Sequence, residues 1–367
     1  MTRLILVVPA DLEAPSGGNR YNAALVTALT ELGVEVEQRA APGRWPVATS
    51  DERNRLAELL RGSELLAGSG LLAGSELLAG SELSPESAPV LVDGLLACGA
   101  PDAVTAAVAA GVRVHVLVHL PLALETGLSV EAAADLEALE RQALHAATGV
   151  LATSRWAARD LCHRHGLDSV AVALPGTEPA PKAAGSRPPL LLQLASVTPR
   201  KDQLSVVEAL AELQDLAWTA ELTGPLDSDP DYTDRVQAAI EQHGLADRIR
   251  LTGPRDGDEL EAAWNATDLL LLPSFAETWG LVVTEALARG IPAVVGLGTG
   301  AEEALGTAGD GSLPGAVVPP GDRAALAAAL RNLLGPGREQ AVEATRSRAR
   351  ELNRWQDTAR DILEAVQ

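Results

Sequence analysis

Between residues 269 and 295 the residue types alone lay out a strand, a helix and a second strand. Leu269, Leu270, Leu271 and Leu272 form a short apolar run, Pro273-Ser274 stops it, Gly280 opens a helical stretch that Arg289-Gly290 closes, and another apolar run follows at 293–295. Runs this short and this apolar are typical of strands covered on both faces, and two of them joined through a helix pair as parallel neighbours. The alternation recurs along the chain. Apolar runs at 4–8, 112–118, 149–153, 190–194, 218–223 and 248–251 are separated by helical patterns that include 139–147, 154–165, 204–213 and 232–243. The fold class is therefore α/β with doubly wound parallel sheets. Such sheets bind ligands beyond the carboxyl ends of their strands, so the loops that follow the apolar runs are where chemistry is expected.

A length of 367 residues suits two domains, each able to bury its own core. Residues 177–189, rich in Pro, Ala and Gly, read as the linker between a domain at 1–176 and a second at 190–350. Residues 62–83 repeat Gly-Ser-Glu-Leu-Leu-Ala, with Gly70 once in the Glu position. A six-residue period advances about 240° around a helix, so the leucines form no single stripe, and the Gly-Ser pairs weaken a helix further. A stacked hexapeptide solenoid would need more copies. The segment is expected to be a mobile insertion in the first domain.

In the loop and helix after the leucine run, residue chemistry points to a phosphorylated sugar. A glycine at a helix start lets a ligand come close to the backbone, and the N–H groups of Gly280, Leu281 and Val282 would face a phosphate with the helix dipole behind them. Glu285, over a turn further in, suits a ribose diol; Glu277, in the loop, suits the hydroxyls of a sugar. Lys201 is one of only two lysines among 29 basic residues, and it stands just after the apolar run 190–194, with Thr198 as a possible helix cap and Pro199 as a first-turn residue. Its charge fits a diphosphate that leaves with negative charge. Arg255, in the loop after 248–251, is a candidate for the pocket of the base. At the end of 112–118 stands His119, placed by its strand-end position rather than by any motif.

These residues form a recognisable set. Pro273-Ser274, Glu277, Gly280, Glu285 eight residues after Glu277, and then Ala286-Leu287-Ala288-Arg289-Gly290-Ile291-Pro292 resemble the signature of glycosyltransferase family 4, whose fold is GT-B. Ala195-Ser196-Val197-Thr198-Pro199-Arg200-Lys201-Asp202 resembles that family's phosphate loop, and Leu251-Thr252-Gly253, the stretch 315–326 and Arg354-Trp355 fall in the family's order. The resemblance implies two Rossmann-like domains facing a cleft, an acceptor-side domain at 1–176, a donor domain at 190–350, and a final helix at 351–367 crossing back to the first domain. It implies a retaining hexosyltransferase that uses a nucleoside diphosphate sugar as co-substrate and a hydroxyl acceptor, with no metal and no other cofactor. It gives the diphosphate to Arg200, Lys201 and the paired glycines Gly17 and Gly18, and brings His119 to the sugar or the acceptor. Ser196 departs from the pattern, because the family usually has Arg there; Arg200 is the neighbour able to supply the charge. No pair of hydrolase-type carboxylates marks an enzyme nucleophile.

Charge and composition narrow the partners. A formal net charge of −21 argues against nucleic acid and against docking on anionic lipid, which favours a soluble acceptor, a metabolite or a glycan. Cys98 and Cys162 make no disulfide framework, and Cys162, His163 and His165 near a helix end read as a surface terminus rather than as metal ligands. The opening apolar run is too short for a signal peptide, so a cytoplasmic protein is expected. Two other readings share the fold: a nucleotide-sugar-binding scaffold without turnover, and a GT-B epimerase or phosphorylase. The base, the sugar, the acceptor and the oligomeric state are left open by the sequence.

Overall fold

A computed structural model describes residues 3–11, 16–61, 88–125 and 127–367; the repeat at 62–83 lies outside the described residues. The chain divides into two compact units, the first made of Met1–Thr153, Ala158–Leu174 and Gln356–Gln367, the second of Ser154–Ala157 and Pro175–Trp355.

The first unit holds β1 (Arg3–Pro9), β2 (Glu35–Ala41), β3 (Val90–Asp93), β4 (Val114–Val118), β5 (Gly149–Ala152) and β6 (Ala171–Val172), paired in the order β2-β1-β3-β4-β5-β6. Every pairing is parallel. β3 and β4 are buried at every residue, as expected for strands with helices on both faces. The apolar runs do not mark β2, whose sequence EVEQRAA is charged: it is an edge strand, and Glu37 is held there by Arg3 and Arg39, each at 2.6 Å. The closing helix, Trp355–Val366, buries Trp355, Ala359, Ile362 and Val366, one apolar stripe at helical spacing. It is tied to the first unit by Thr358 Oγ1, which donates to Leu174 O at 2.7 Å, and by Arg113 Nη1, which donates to Val366 O at 3.4 Å.

The second unit repeats the plan with β7 (Leu190–Leu194), β8 (Thr219–Thr223), β9 (Ile249–Gly253), β10 (Thr267–Leu272), β11 (Ala293–Gly296) and β12 (Gly315–Val318), in the order β12-β11-β10-β7-β8-β9. These pairings too are parallel. With so few aromatic residues, its core is built from Leu, Val and Ala around the buried Trp218 and Tyr232. From β7 the chain winds outward through β8 and β9 and then returns to the other side of β7 as β10. The winding reverses between β7 and β10, so the loops leaving these two strands part in opposite directions and open a crevice at their carboxyl ends. In the first unit the reversal falls between β1 and β3. The two reversals place the residues described next.

Candidate functional site

In the second unit, the loop from β7 passes Ala195 and Ser196 and enters a short 3-10 turn, Pro199–Lys201. The α-helix does not begin at Pro199, as the cap chemistry suggests; it begins at Gln203, after Asp202 has taken a left-handed conformation with φ 57°. The reason is a set of tertiary bonds that outweighs local capping: Gln193 Nε2 donates to Lys201 O at 2.7 Å, Gln203 Nε2 to Ser196 O at 2.9 Å, and Gly321 N to Asp202 Oδ2 at 3.0 Å. The turn brings Arg200 and Lys201 against the loop that leaves β10. Phe275 N donates to Arg200 O at 2.8 Å, Arg200 Nη1 donates to Ala276 O at 3.1 Å, and Lys201 Nζ pairs with Glu277.

Glu277 is 7% exposed. Burial pushes its carboxyl up, but the charges of Lys201 and Arg200 and the hydrogen bond from Lys201 outweigh burial and hold it below the ordinary carboxylate value. It is a buried, ionised acceptor. Its carbonyl accepts from Gly300 N at 2.6 Å, a contact open only to glycine, since a Cβ at residue 300 would lie 2.0 Å from Thr278 O. Three residues after Glu277, Gly280 takes φ 87° and opens helix Leu281–Ala288. Among the described residues no side chain caps this helix. The helix start, with its first-turn N–H groups and the positive end of the dipole, thus follows Glu277 by three residues in the chain, and such a terminus attracts an anion. Glu285 sits half-buried within the same helix. Arg255 is placed differently. It pairs with Glu221 at 2.6 Å and, with Thr219, Arg250, Glu259 and Ala263, lines a cavity of about 590 Å³ that none of Arg200, Lys201, Glu277 or Glu285 lines.

The first unit gathers a second group at the carboxyl ends of β1, β3 and β4. Ser16 caps helix Gly17–Glu31, so Gly17 and Gly18 form its first turn rather than a free loop. A Cβ on Gly18 would come within 3.1 Å of the His119 ring, while around Gly17 there is open space. His119 Nε2 lies 3.0 Å from Asn22 Oδ1, and Tyr21 meets the ring edge-on with centroids 5.0 Å apart. Asn22 Nδ2 in turn donates to Asp93 Oδ2 at 2.8 Å. Burial lowers the His119 pKa, and the Asp93 carboxylate opposes that shift. Asn22 and Asp93 are absent from the motif reading. Asp93 had a signal, an acid directly at the end of a buried apolar run; Asn22 had none.

His165 is not a surface residue. It is buried and sits 2.8 Å from Glu140 Oε2, whose other oxygen accepts from Leu122 N at 3.1 Å, so it is a structural partner of the segment after His119. Among the described residues no group of three or more His, Cys, Asp and Glu is arranged to hold a metal, and no helix is long and apolar enough to cross a membrane.

Comparison with known proteins gives these positions a context. A family model described as Glycosyl transferases group 1 matches residues 177–351, which take in Arg200, Lys201, Glu277, Gly280 and Glu285. That match lies within the second unit. A curated relative, D-inositol 3-phosphate glycosyltransferase of Kineococcus radiotolerans, is 32% identical over 252 residues, covering 61% of this chain and 58% of the relative. The chain thus spans less than two thirds of that relative's length. Among solved structures, sucrose-phosphate synthase from Thermosynechococcus elongatus superposes with a TM-score of 0.73 at 18% identity, covering 99% of this chain and 98% of the other. HepE of Anabaena in complex with UDP-glucose gives a TM-score of 0.73 at 15% identity, covering 99% of both chains. These likenesses establish the fold as GT-B, built from two Rossmann-like α/β units.

Proposed function

We propose that this protein is a retaining glycosyltransferase of family 4 that moves a hexose from a nucleoside diphosphate donor to a hydroxyl acceptor without a metal. The observation that carries the reading is the buried, ionised Glu277, paired with the phosphate-loop Lys201 at the foot of an uncapped helix opened by a left-handed glycine. The donor's diphosphate takes the N–H groups of Gly280, Leu281 and Val282 together with the charges of Lys201 and Arg200. Lys201 is thereby shared between phosphate and Glu277, whose oxygens accept from the sugar hydroxyls. Glu285 takes the ribose diol.

In the reaction the bond from the anomeric carbon to the phosphate oxygen breaks, the acceptor oxygen bonds to that carbon on the same face, and the acceptor's proton passes to the departing phosphate. Charge grows on the phosphate as it leaves, and Lys201, Arg200 and the helix terminus stabilise it where it appears. Ser196 removes the arginine usual in the family, and Arg200, anchored on Ala276 O, supplies a guanidinium to the same loop. This favours turnover over the reading of a non-catalytic scaffold. The first unit serves the acceptor, with His119 contacting a hydroxyl of the sugar or the acceptor. The strongly acidic chain favours a soluble acceptor in the cytoplasm over a lipid one.

The test is nucleotide release by metal-free protein from uridine, guanosine and adenosine diphosphate sugars, beginning with UDP-glucose, in the presence and absence of small polyols and their phosphates such as inositol phosphate. Release from one donor with transfer to a hydroxyl, anomeric configuration retained, is expected. Absence of release from every donor with every acceptor would contradict the reading, and inversion would contradict retention.

A further inference from the structure

Strands β8 and β9 carry different chemistry on their two faces. Their register sets Ala220 beside Ile249 and Leu222 beside Leu251, and all four pack with the apolar core of the second unit. The intervening pair, Glu221 opposite Arg250, is on the other face, together with Thr219. A parallel strand covered on both faces is normally apolar on both, so polar residues here mark a face that no apolar layer closes. Helix Gly257–Ala266 flanks it with Ala262, Ala263 and Ala266, side chains too short to fill the space, and the cavity of about 590 Å³ is left between them. The charges in it are held in order. Arg250 Nη2 donates to Glu221 Oε1 at 2.5 Å and Arg255 Nη1 lies 2.6 Å from Oε2, so the buried carboxylate fixes two guanidinium groups while each commits only one nitrogen to it. Side-chain exposures of 71% for Arg250 and 20% for Arg255 leave donors of both within reach of a ligand. Arg187 on the rim makes no ion pair among the described residues.

We propose that this cavity is a second ligand site, apart from the donor's, for a small phosphate monoester with a sugar or polyol body. Guanidinium groups bind phosphate through paired N–H donors, and two groups already held by Glu221 lose little freedom in doing so. Three arginines line the cavity against two carboxylates, Glu221 and Glu259, which leaves one positive charge in excess within a chain of net charge −21. Charges more than about 8 Å away are largely screened at physiological salt, so the local excess governs an anion inside. The volume lies in the range of small-molecule sites, about 300–1,000 Å³, and far exceeds a bare phosphate, so the anion carries a body. Leu190, Pro188 and the alanines offer the C–H face of that body an apolar wall, and Thr219 and Glu259 offer partners to its hydroxyls. None of residues 195–202 or 273–288 lines the cavity, so this ligand and a donor at the start of helix Leu281–Ala288 share no contact. The site goes beyond the transferase reading and does not depend on it.

The test is calorimetric titration of the full chain at pH 7.5 with glucose 6-phosphate, ribose 5-phosphate and glycerol 3-phosphate, with glucose and inorganic phosphate as controls, followed by hydrogen exchange on the saturated protein. At least one ester is expected to bind one site per chain, more tightly than inorganic phosphate, and to slow exchange at 186–190, 219–221 and 250–266. Arg250→Gln is expected to weaken that binding at least about tenfold, the loss of a charge-assisted contact to phosphate. Arg255 still pairs Glu221 in this variant, so no buried charge is stranded. Ala262→Phe, at an exposed helix position that lines the cavity, is expected to abolish binding by filling the space while leaving every charge in place. Failure of all three esters to bind at millimolar concentration overturns the proposal, as does a footprint confined to 195–202 and 273–288 or to the first unit. Inorganic phosphate binding as tightly as the esters would mean an adventitious ion only, and an affinity unchanged in Arg250→Gln or in Ala262→Phe would place the ligand elsewhere.

Discussion

Removing the Lys201 ammonium should loosen the loop around Glu277 before it changes anything else. The two side chains are 13% and 9% exposed, and without Lys201 the carboxylate is left buried with only Arg200 as a compensating charge. Breaking a buried pair from one side costs about 3–5 kcal/mol, and the remaining arginine places Lys201→Ala at the lower end, about 3 kcal/mol. At 1.36 kcal/mol per decade, that is roughly a hundredfold loss of amide protection across 273–288 at pH 7.5, read by hydrogen exchange and mass spectrometry. The sign with pH is fixed. The folded Glu277 pKa lies below its ordinary value of 4.5, so its stabilising contribution is present above that value and fades as pH falls through the folded one. In Lys201→Ala burial regains the upper hand, protonation relieves the stranded charge, and the gap between variant and wild type should narrow from pH 7.5 to pH 5. Lys201→Ala/Glu277→Gln, which removes both charges, should recover protection to within about tenfold of wild type, because an amide is far cheaper to bury than an unpaired carboxylate. Unchanged protection in Lys201→Ala at pH 7.5, or a double variant as unprotected as the single one, would refute the reasoning.

Other consequences follow from neighbouring residues. His115 is buried in β4 with its pKa pulled from 6.5 down to about 4, chiefly by burial and then by the Arg113 charge, so the unfolded chain binds the extra proton first. Stability should therefore fall by up to about 3 kcal/mol as pH drops from 6.5 to 4, and His115→Leu should flatten that part of the melting profile; an unchanged slope would exclude His115 as its source. Gly280→Ala puts a side chain at φ 87°, costing about 1–2 kcal/mol, while the Leu272 Cδ2 atom that a Cβ would meet at 2.9 Å belongs to a movable side-chain end; a melting temperature equal to wild type would contradict the backbone assignment. Glu277→Ala should cut turnover at least tenfold, about 1.4 kcal/mol of transition-state stabilisation, in protein whose fold is checked by circular dichroism, and near-normal turnover would remove it from the site. Glu285→Ala should weaken nucleotide binding by roughly tenfold or more, as loss of hydrogen bonds to a charged acceptor does, and equal affinities by calorimetry would exclude the ribose role.

The parallel sheets were legible because β4, β7, β10 and β11 are nearly pure apolar runs, too short for buried helices and separated by helical patterns. Charged β2 was not, since an edge strand needs only one buried face and its Arg and Glu side chains pair with each other across it. Short β3 offers only four residues. In the proposed site, Lys201, Glu277 and Gly280 stand out in the sequence because the chemistry proposed for them is tied to a local sequence order. The helix start at Gln203 could not, because Asp202 is held left-handed by Gly321, more than a hundred positions away. Asn22 was invisible for a similar reason: an asparagine on a helix acquires its meaning only when β3 and β4 deliver Asp93 and His119 to its two ends. Arg255 was legible only as a loop arginine; its ion pair with the buried Glu221 of β8 depends on a contact with a neighbouring strand that the sequence does not display.

The central claim is that the donor's diphosphate lies at the Lys201 and Glu277 pair and the start of helix Leu281–Ala288. Its most direct test is the hydrogen-exchange footprint of the full chain with and without the donor sugar nucleotide, from the same panel used for turnover. Slowed exchange confined in the second unit to 195–202 and 273–288, and weakened in Glu285→Ala, is the expected result. A footprint at the Glu221 and Arg255 cavity instead, or no protection of helix Leu281–Ala288 under saturating donor, would contradict it.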